Sequence, residues 1–223
     1  RYEPNLYASL LAMKKNRVIA CVLPECVPGE YWEKMHQGVL DGAAAVSSLN
    51  IEVSTFFYDQ YDPASFVSVC RQMIESKPSG AVLPPLFKND TMAIAEKLKA
   101  NDIPYVYVDT KLEDSGYFAY YGMPMYKSGN LCAALMTDRR MKDELGEVLV
   151  VRIKRDKSAQ SDPTINRRAG FMDFMNEYFP DNKIHTLFID PSDPVSIMAA
   201  LESFMAEHPS VRNITMFNSR IHL

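Results

Sequence analysis

Short apolar runs alternate with longer amphipathic stretches along most of the chain. The runs cover residues 18–23, 51–58, 81–83, 105–108, 147–153, 185–189 and 213–217. They are rich in Val, Ile and aromatic residues, and several lack a strict two-residue alternation. Strands covered on both faces read this way, because neither side of the pleat meets water. The intervening stretches carry a helical period. In residues 31–49, Met35, Val39, Ala43 and Val46 share one stripe. In residues 89–100, Met92, Ile94, Ala95 and Leu98 lie along one side. Residues 63–76, 127–145, 164–179 and 195–207 complete the helical set. Asp62 before Pro63 and Asp193 before Pro194 mark helix starts. The carboxylate caps, and the proline suits the first helical position.

Strand and helix in alternation predict βαβ units and a parallel sheet, with right-handed crossovers placing helices on both faces. Seven strands would suffice for one sheet. The rhythm breaks at residues 109–124, where Asp114, Ser115, Gly116, Gly122 and Pro124 gather, and then it restarts. We read the break as the passage from one α/β lobe to a second. The expected division is a linker over 1–15, a first lobe over 16–123 and a second over 124–223.

Composition narrows the function classes. The chain has 223 residues, 47% of them hydrophobic and 23% charged, which suits an ordinary globular protein. Its 24 basic and 28 acidic side chains leave a net charge of −4. A basic nucleic-acid-binding surface over the whole chain is therefore not expected. No apolar run reaches the ~18 residues of a membrane helix. Residues 1–16 lack the apolar stretch of a secretory signal. Cys21, Cys26, Cys70 and Cys132 show no zinc-type spacing. They read as buried reduced thiols, which favours a reducing compartment.

Open parallel sheets bind ligands beyond the carboxyl ends of their strands. The polar residues that follow the apolar runs are therefore the candidates. Glu25, Tyr31 and Trp32 follow the first run, Asp109 the fourth, Arg167 the fifth, Asp190 the sixth and Asn218 the seventh. Carboxylates and an amide fix hydroxyl pairs, an arginine supplies a planar donor fork, and a ring covers an apolar C–H face. That combination suits a polyhydroxylated ligand. Each residue also has a plainer role. Trp32 can cover a helix start, Asp109 can cap a turn, and Glu25, Arg167 and Asp190 can be solvated surface.

Catalytic patterns are not evident. There is no G-x-S-x-G elbow. Lys127-Ser128 resembles the end of a phosphate loop, but Tyr126 stands where that loop needs glycine. Glu33 and His36 have i, i+3 spacing with no second copy. His185, His208 and His222 have no acid at a telling spacing. No enzyme activity, metal or cofactor is expected.

Several stretches, taken in order, resemble the LacI/GalR family of transcription regulators. Tyr2-Glu3-Pro4-Asn5-Leu6-Tyr7-Ala8-Ser9-Leu10-Leu11 is similar to that family's hinge pattern, Tyr-x-Pro-Asn-x-x-Ala-Arg-x-Leu, with Ser9 in place of the arginine. Tyr31-Trp32 and Gly38 match the first sensor helix, residues 105–109 the fourth strand with its terminal aspartate, and Lys127-Ser128-Gly129 the start of the second-lobe helix. Arg167-Arg168-Ala169-Gly170-Phe171 matches Arg-x-x-Gly-Phe, whose arginine contacts the effector. Residues 214–218 match the strand and asparagine before a later effector loop. Where the family has glycine after the fifth strand, this chain has Ile153-Lys154.

The resemblance implies two Rossmann-like lobes with parallel sheets, of the periplasmic-binding-protein type I kind, and C-terminally incomplete at Leu223. It implies a sugar or other small metabolite as effector, held between the lobes. It further implies a cytoplasmic homodimer with no membrane partner, and operator DNA as a partner. Contact with the operator would run through a helix-turn-helix head ahead of Arg1 and through hinge residues Ala8 and Leu11, the leucine wedging into the minor groove. The alternative is a periplasmic sugar- or solute-binding protein of a transporter, which gives no reason for the Tyr2–Leu11 pattern.

Overall fold

The computed structural model describes residues 16–138, 144–153, 163–190 and 194–217. Ala8, Leu11, Asp193 and Asn218, and with them the expected hinge, lie outside the described residues. Contacts divide the chain into two units, Arg1–Gly122 and Met123–Leu223. The sequence pattern had drawn that division after Met123.

The first unit runs β1 (Arg17–Pro24), α1 (Tyr31–Val46), a 3-10 turn at Ser47–Leu49, β2 (Ile51–Tyr58), α2 (Pro63–Glu75), β3 (Gly80–Leu83), α3 (Lys88–Ala100), β4 (Tyr105–Val108) and β5 (Ala119–Tyr121). All its strand pairs are parallel, in the order β2-β1-β3-β4-β5. Five successive residues of β1 are buried, which requires cover on both faces of the sheet. Ala20, Val22, Leu23, Phe66, Leu83, Ile94, Leu98 and Tyr107 belong to one core. Asp62 does cap α2, its Oδ1 accepting from the Ala64 N–H at 2.8 Å. The sequence pattern missed β5. It is a three-residue strand lying inside the polar break, and no position of it is fully buried.

The second unit runs α4 (Met125–Thr137), β6 (Glu147–Ile153), α5 (Pro163–Tyr178), β7 (Ile184–Ile189), α6 (Pro194–Glu207) and β8 (Val211–Met216). Its strands are parallel, in the order β7-β6-β8. Val148 and Val150 of β6 pack with Ala133, Phe171 and Met175 from α4 and α5. The alternate residues Leu149, Val151 and Ile153 pack with Ile197, Leu201 and Phe204 from α6. Each unit is thus an α/β layer structure, a parallel sheet with helices packed on it. The helix expected over 127–145 stops at Thr137. Leu145 is instead fully buried in the core with Val148 and Val150 of β6, and Gly146 after it takes φ 69°.

Helices α4 and α5 cross closely through two glycines. A Cβ on Gly129 would fall on the Arg167 carbonyl oxygen, and one on Gly170 on the Tyr126 carbonyl oxygen. These are backbone atoms, so nothing can swing aside. Gly129→Ala is expected to destabilise the second unit by about 2 kcal/mol or more, measured by denaturant unfolding. A change under about 0.5 kcal/mol would show that the helices can separate freely.

The thiols test the first unit. Cys21 is buried, and desolvation pushes its thiol up to about 11. Cys70 is fully buried, and its thiol is pushed up further by the same cause. At pH 8 both are expected to alkylate about a hundredfold more slowly than a free cysteine, and at the free rate in denaturant.

Candidate ligand-binding site

In both sheets the chain leaves the first strand to one side and later returns on its other side. In the first unit β2 and β3 flank β1; in the second β7 and β8 flank β6. Connections that part in this way leave a gap at the carboxyl ends of the strands. Each unit gathers polar groups there.

In the first unit, α1 begins after the loop that follows β1, and Tyr31 is its first residue. Its hydroxyl donates to Asp109 Oδ1 at 2.6 Å. Asp109 directly follows β4 and is buried. Its backbone takes φ 67°, the left-handed region that Asp tolerates better than most residues. Its N–H donates to the Tyr121 carbonyl at 3.0 Å, and its carbonyl accepts from the Tyr120 hydroxyl at 3.0 Å. Burial, and then the charge of Asp109, push the Tyr120 phenol up, so it remains a donor at neutral pH. Bonds from α1, β5 and the strand's own end thus fix this one carboxylate.

Trp32 sits differently from its neighbour. Its ring is 6% exposed and belongs to the core, while Tyr31 is 37% exposed. The two rings meet edge-on with centroids 5.0 Å apart. Trp32 Nε1 donates to Gln60 Oε1 at 3.2 Å. Tyr31 therefore presents the more open ring, and Trp32 supports it from below. Gln60 was missed in the sequence, although the rule that drew attention to residues after β1 applies equally after β2. Glu25 is exposed, with its N–H donating to the Tyr58 carbonyl at 2.9 Å.

In the second unit, Arg167 lies in the second turn of α5 and is half-buried. One terminal nitrogen donates to the Phe217 carbonyl at 2.9 Å, and the other approaches Met125 Sδ at 3.1 Å. Phe217 directly follows β8 and Met125 opens α4. The guanidinium is thus pinned near the carboxyl end of β8. Among the described residues its Nε is buried without a hydrogen-bond partner. Arg168 shares that last feature, so the orphaned nitrogen does not single out Arg167; the anchoring at Phe217 does. Asp190 is exposed after β7. Asn218 falls outside the described residues.

The structure thus joins Tyr31 directly to Asp109 and anchors Arg167 beside β8. A carboxylate, a phenol ring and an arginine can bind hydroxyls and cover a sugar's C–H face. Tyr31→Phe is expected to lower stability by about 1 kcal/mol in denaturant unfolding. Asp109→Ala should lower it by about 2 kcal/mol, since alanine lacks the acceptor and disfavours a positive φ. Asp109→Asn should cost less than Asp109→Ala. The reverse order would show that the left-handed turn does not depend on this side chain.

Residues 19–221 match the family described as "Periplasmic binding protein domain". Among solved structures, the chain is similar to a protein from Bacteroides fragilis assigned to the LacI transcriptional regulators. Identity is 28% and the TM-score 0.82, over 93% of this chain and 71% of that one. It is also similar to a periplasmic sugar-binding protein of an ABC sugar transporter from Legionella pneumophila, at 15% identity and TM-score 0.76, over 92% and 72% of the two chains. A third is GanP, a glucose-galactose binding protein from Geobacillus stearothermophilus, at 19% identity and TM-score 0.72, over 93% and 70%. No curated protein matches the chain.

Proposed function

The chain belongs to the periplasmic binding protein domain family, and we propose that it is the effector-sensing domain of a LacI-type transcription regulator that takes a small sugar-like metabolite. The observation that carries the ligand class is the Tyr31–Asp109 bond at the carboxyl ends of β1 and β4. Arg167 is the second unit's contribution. Asp109 accepts from ligand hydroxyls, Tyr31 covers a C–H face, and Arg167 donates through its fork. Glu25, Asp190 and Asn218 are further contacts in this reading, and Trp32 acts through Tyr31. The sugar-binding names of two similar structures support the same class.

Two observations favour the regulator. The Bacteroides fragilis protein is the one of the three with identity above 25%. The Tyr2–Leu11 stretch also fits a DNA hinge. In this reading the chain acts in the cytoplasm as a homodimer, and Ala8 and Leu11 belong to the segment that orders on operator DNA. A ligand favours one arrangement of the protein only to the extent that it binds that arrangement more tightly. Operator and effector then alter each other's affinity by the same factor.

A second reading, a solute-binding protein of a sugar transporter, is favoured by the Legionella and Geobacillus structures. The coding sequence upstream of Arg1 discriminates between the two. A helix-turn-helix supports the regulator, and a cleavable leader supports the transport protein.

Calorimetric titration with neutral sugars, sugar phosphates and sugar acids tests the ligand class. One of these sets should bind saturably, and Asp109→Ala and Arg167→Ala should each weaken that binding about tenfold or more, as the loss of a charged hydrogen bond would. Unchanged affinity in both variants would remove these residues from the site.

A further inference from the structure

We infer that Glu147, His185 and His208 form a binding site for one divalent first-row transition-metal ion, zinc foremost, at the amino ends of the second unit's strands. The inference stands apart from the sugar-binding reading, because Arg167 lies at the other end of this sheet.

The three residues are far apart in sequence and come together through the strand register. Glu147 is the first residue of β6, and His185 is the second residue of β7. His185 pairs with Leu149. Strand side chains alternate between faces, so Glu147, Leu149 and His185 share one face. That is the face α6 covers through Leu201 and Phe204. His208 follows α6 immediately, its N–H donating to the Phe204 carbonyl at 3.0 Å. The helix therefore delivers the second imidazole to the strand edge where the first imidazole and the carboxylate stand.

The geometry is close to that of a metal site. One donor atom from each residue lies within 4.8 Å of the other two. A tetrahedral ion with bonds of about 2.1 Å holds its ligand atoms about 3.4 Å apart. His185 Nε2 and Glu147 Oε2 are now 2.5 Å apart, joined by a hydrogen bond. The two imidazole rings are tilted by 39° to one another, centroids 4.4 Å apart. Moving from this arrangement to a ligated one needs shifts of about 1 Å at side-chain ends. All three residues are half-buried. That partial burial excludes much of the solvent and leaves a fourth position open to water.

The donor set selects the ion. Two imidazoles and one carboxylate suit zinc and its first-row neighbours, whereas magnesium and calcium want oxygen donors throughout. Lys183 adds a positive charge beside the cluster, with Nζ 3.7 Å from Glu147 Oε1 and a side chain 64% exposed. It balances the carboxylate when no ion is bound, and its exposure lets it swing away when one is. A bound ion would tie the α6–β8 connection to β6 and β7 and so stabilise the second unit.

The spacing of these histidines in the chain showed nothing, because the acid lies 38 residues from His185 and pairs with it only through the sheet. The competing view is that Glu147 and His185 form a plain hydrogen-bonded pair, with His208 merely stacked on it.

Titrating the full chain with cobalt(II), read by visible absorption, and with zinc(II), read by calorimetry, decides between them. We expect one saturable equivalent, with the intense visible bands of four- or five-coordinate cobalt. His208→Ala leaves the Glu147–His185 bond intact and should weaken binding at least about tenfold. His185→Ala should do the same. Lys183→Met removes a like charge and should tighten binding. Zinc should raise the melting temperature of the wild type by several degrees, and of His208→Ala by much less. Binding unaffected by His208→Ala, or the lack of any saturable equivalent, would overturn the assignment.

Discussion

Parallel strands that leave a sheet in opposite lateral directions open a gap at their carboxyl ends, and both units contain one. The rest of the account depends on that constraint. It decides which loops lie together, and so which polar residues can share a ligand. In the first unit it lets Tyr31, carried by the loop after β1, reach across to the residue that ends β4. Asp109 answers with a buried carboxylate on a left-handed backbone. Such a conformation is costly and persists where neighbours over-determine it. Here β5 holds the main chain of Asp109 and α1 holds its side chain. A single aspartate side chain is thereby held in one orientation.

The second unit reaches the same end by helix packing. The glycines at 129 and 170 allow the α4 and α5 backbones to touch, a contact no larger residue permits. Because that crossing fixes the start of α5, the Arg167 guanidinium can bond the carbonyl that ends β8 and meet the methionine that opens α4. Recognition and packing are therefore linked through Arg167 itself. Its carbonyl oxygen is what a side chain at 129 would strike, and its guanidinium holds the carbonyl that follows β8. The Arg-x-x-Gly-Phe run places both functions in one turn and a half of helix, and its phenylalanine is fully buried in the core below.

Much of this was legible in the sequence, for a definite reason. Buried parallel strands need apolar runs without alternation, and the helices over them need stripes, so seven of the eight described strands announced themselves. The three-residue β5 did not, because an edge strand of Ala-Tyr-Tyr buries too little to leave a pattern. Aspartate at the end of β4 and arginine early in α5 were legible because chain direction alone places them at strand ends. Which of two neighbouring rings is buried was not legible. Trp32 and Tyr31 are adjacent aromatic residues at one helix start, and only the helix phase turns one into the core and the other outward. Gln60, which binds the indole, follows a run whose end drew no attention. Register was the hardest feature to see. Glu147 and His185 meet because two strands align, and no spacing along the chain encodes that.

The most direct measurement is a crystal structure of this chain grown with the sugar that calorimetry selects. The account predicts ligand hydroxyls within hydrogen-bond distance of Asp109 and Arg167, with the Tyr31 ring against an apolar face of the sugar. A sugar bound saturably with neither residue in contact would contradict it.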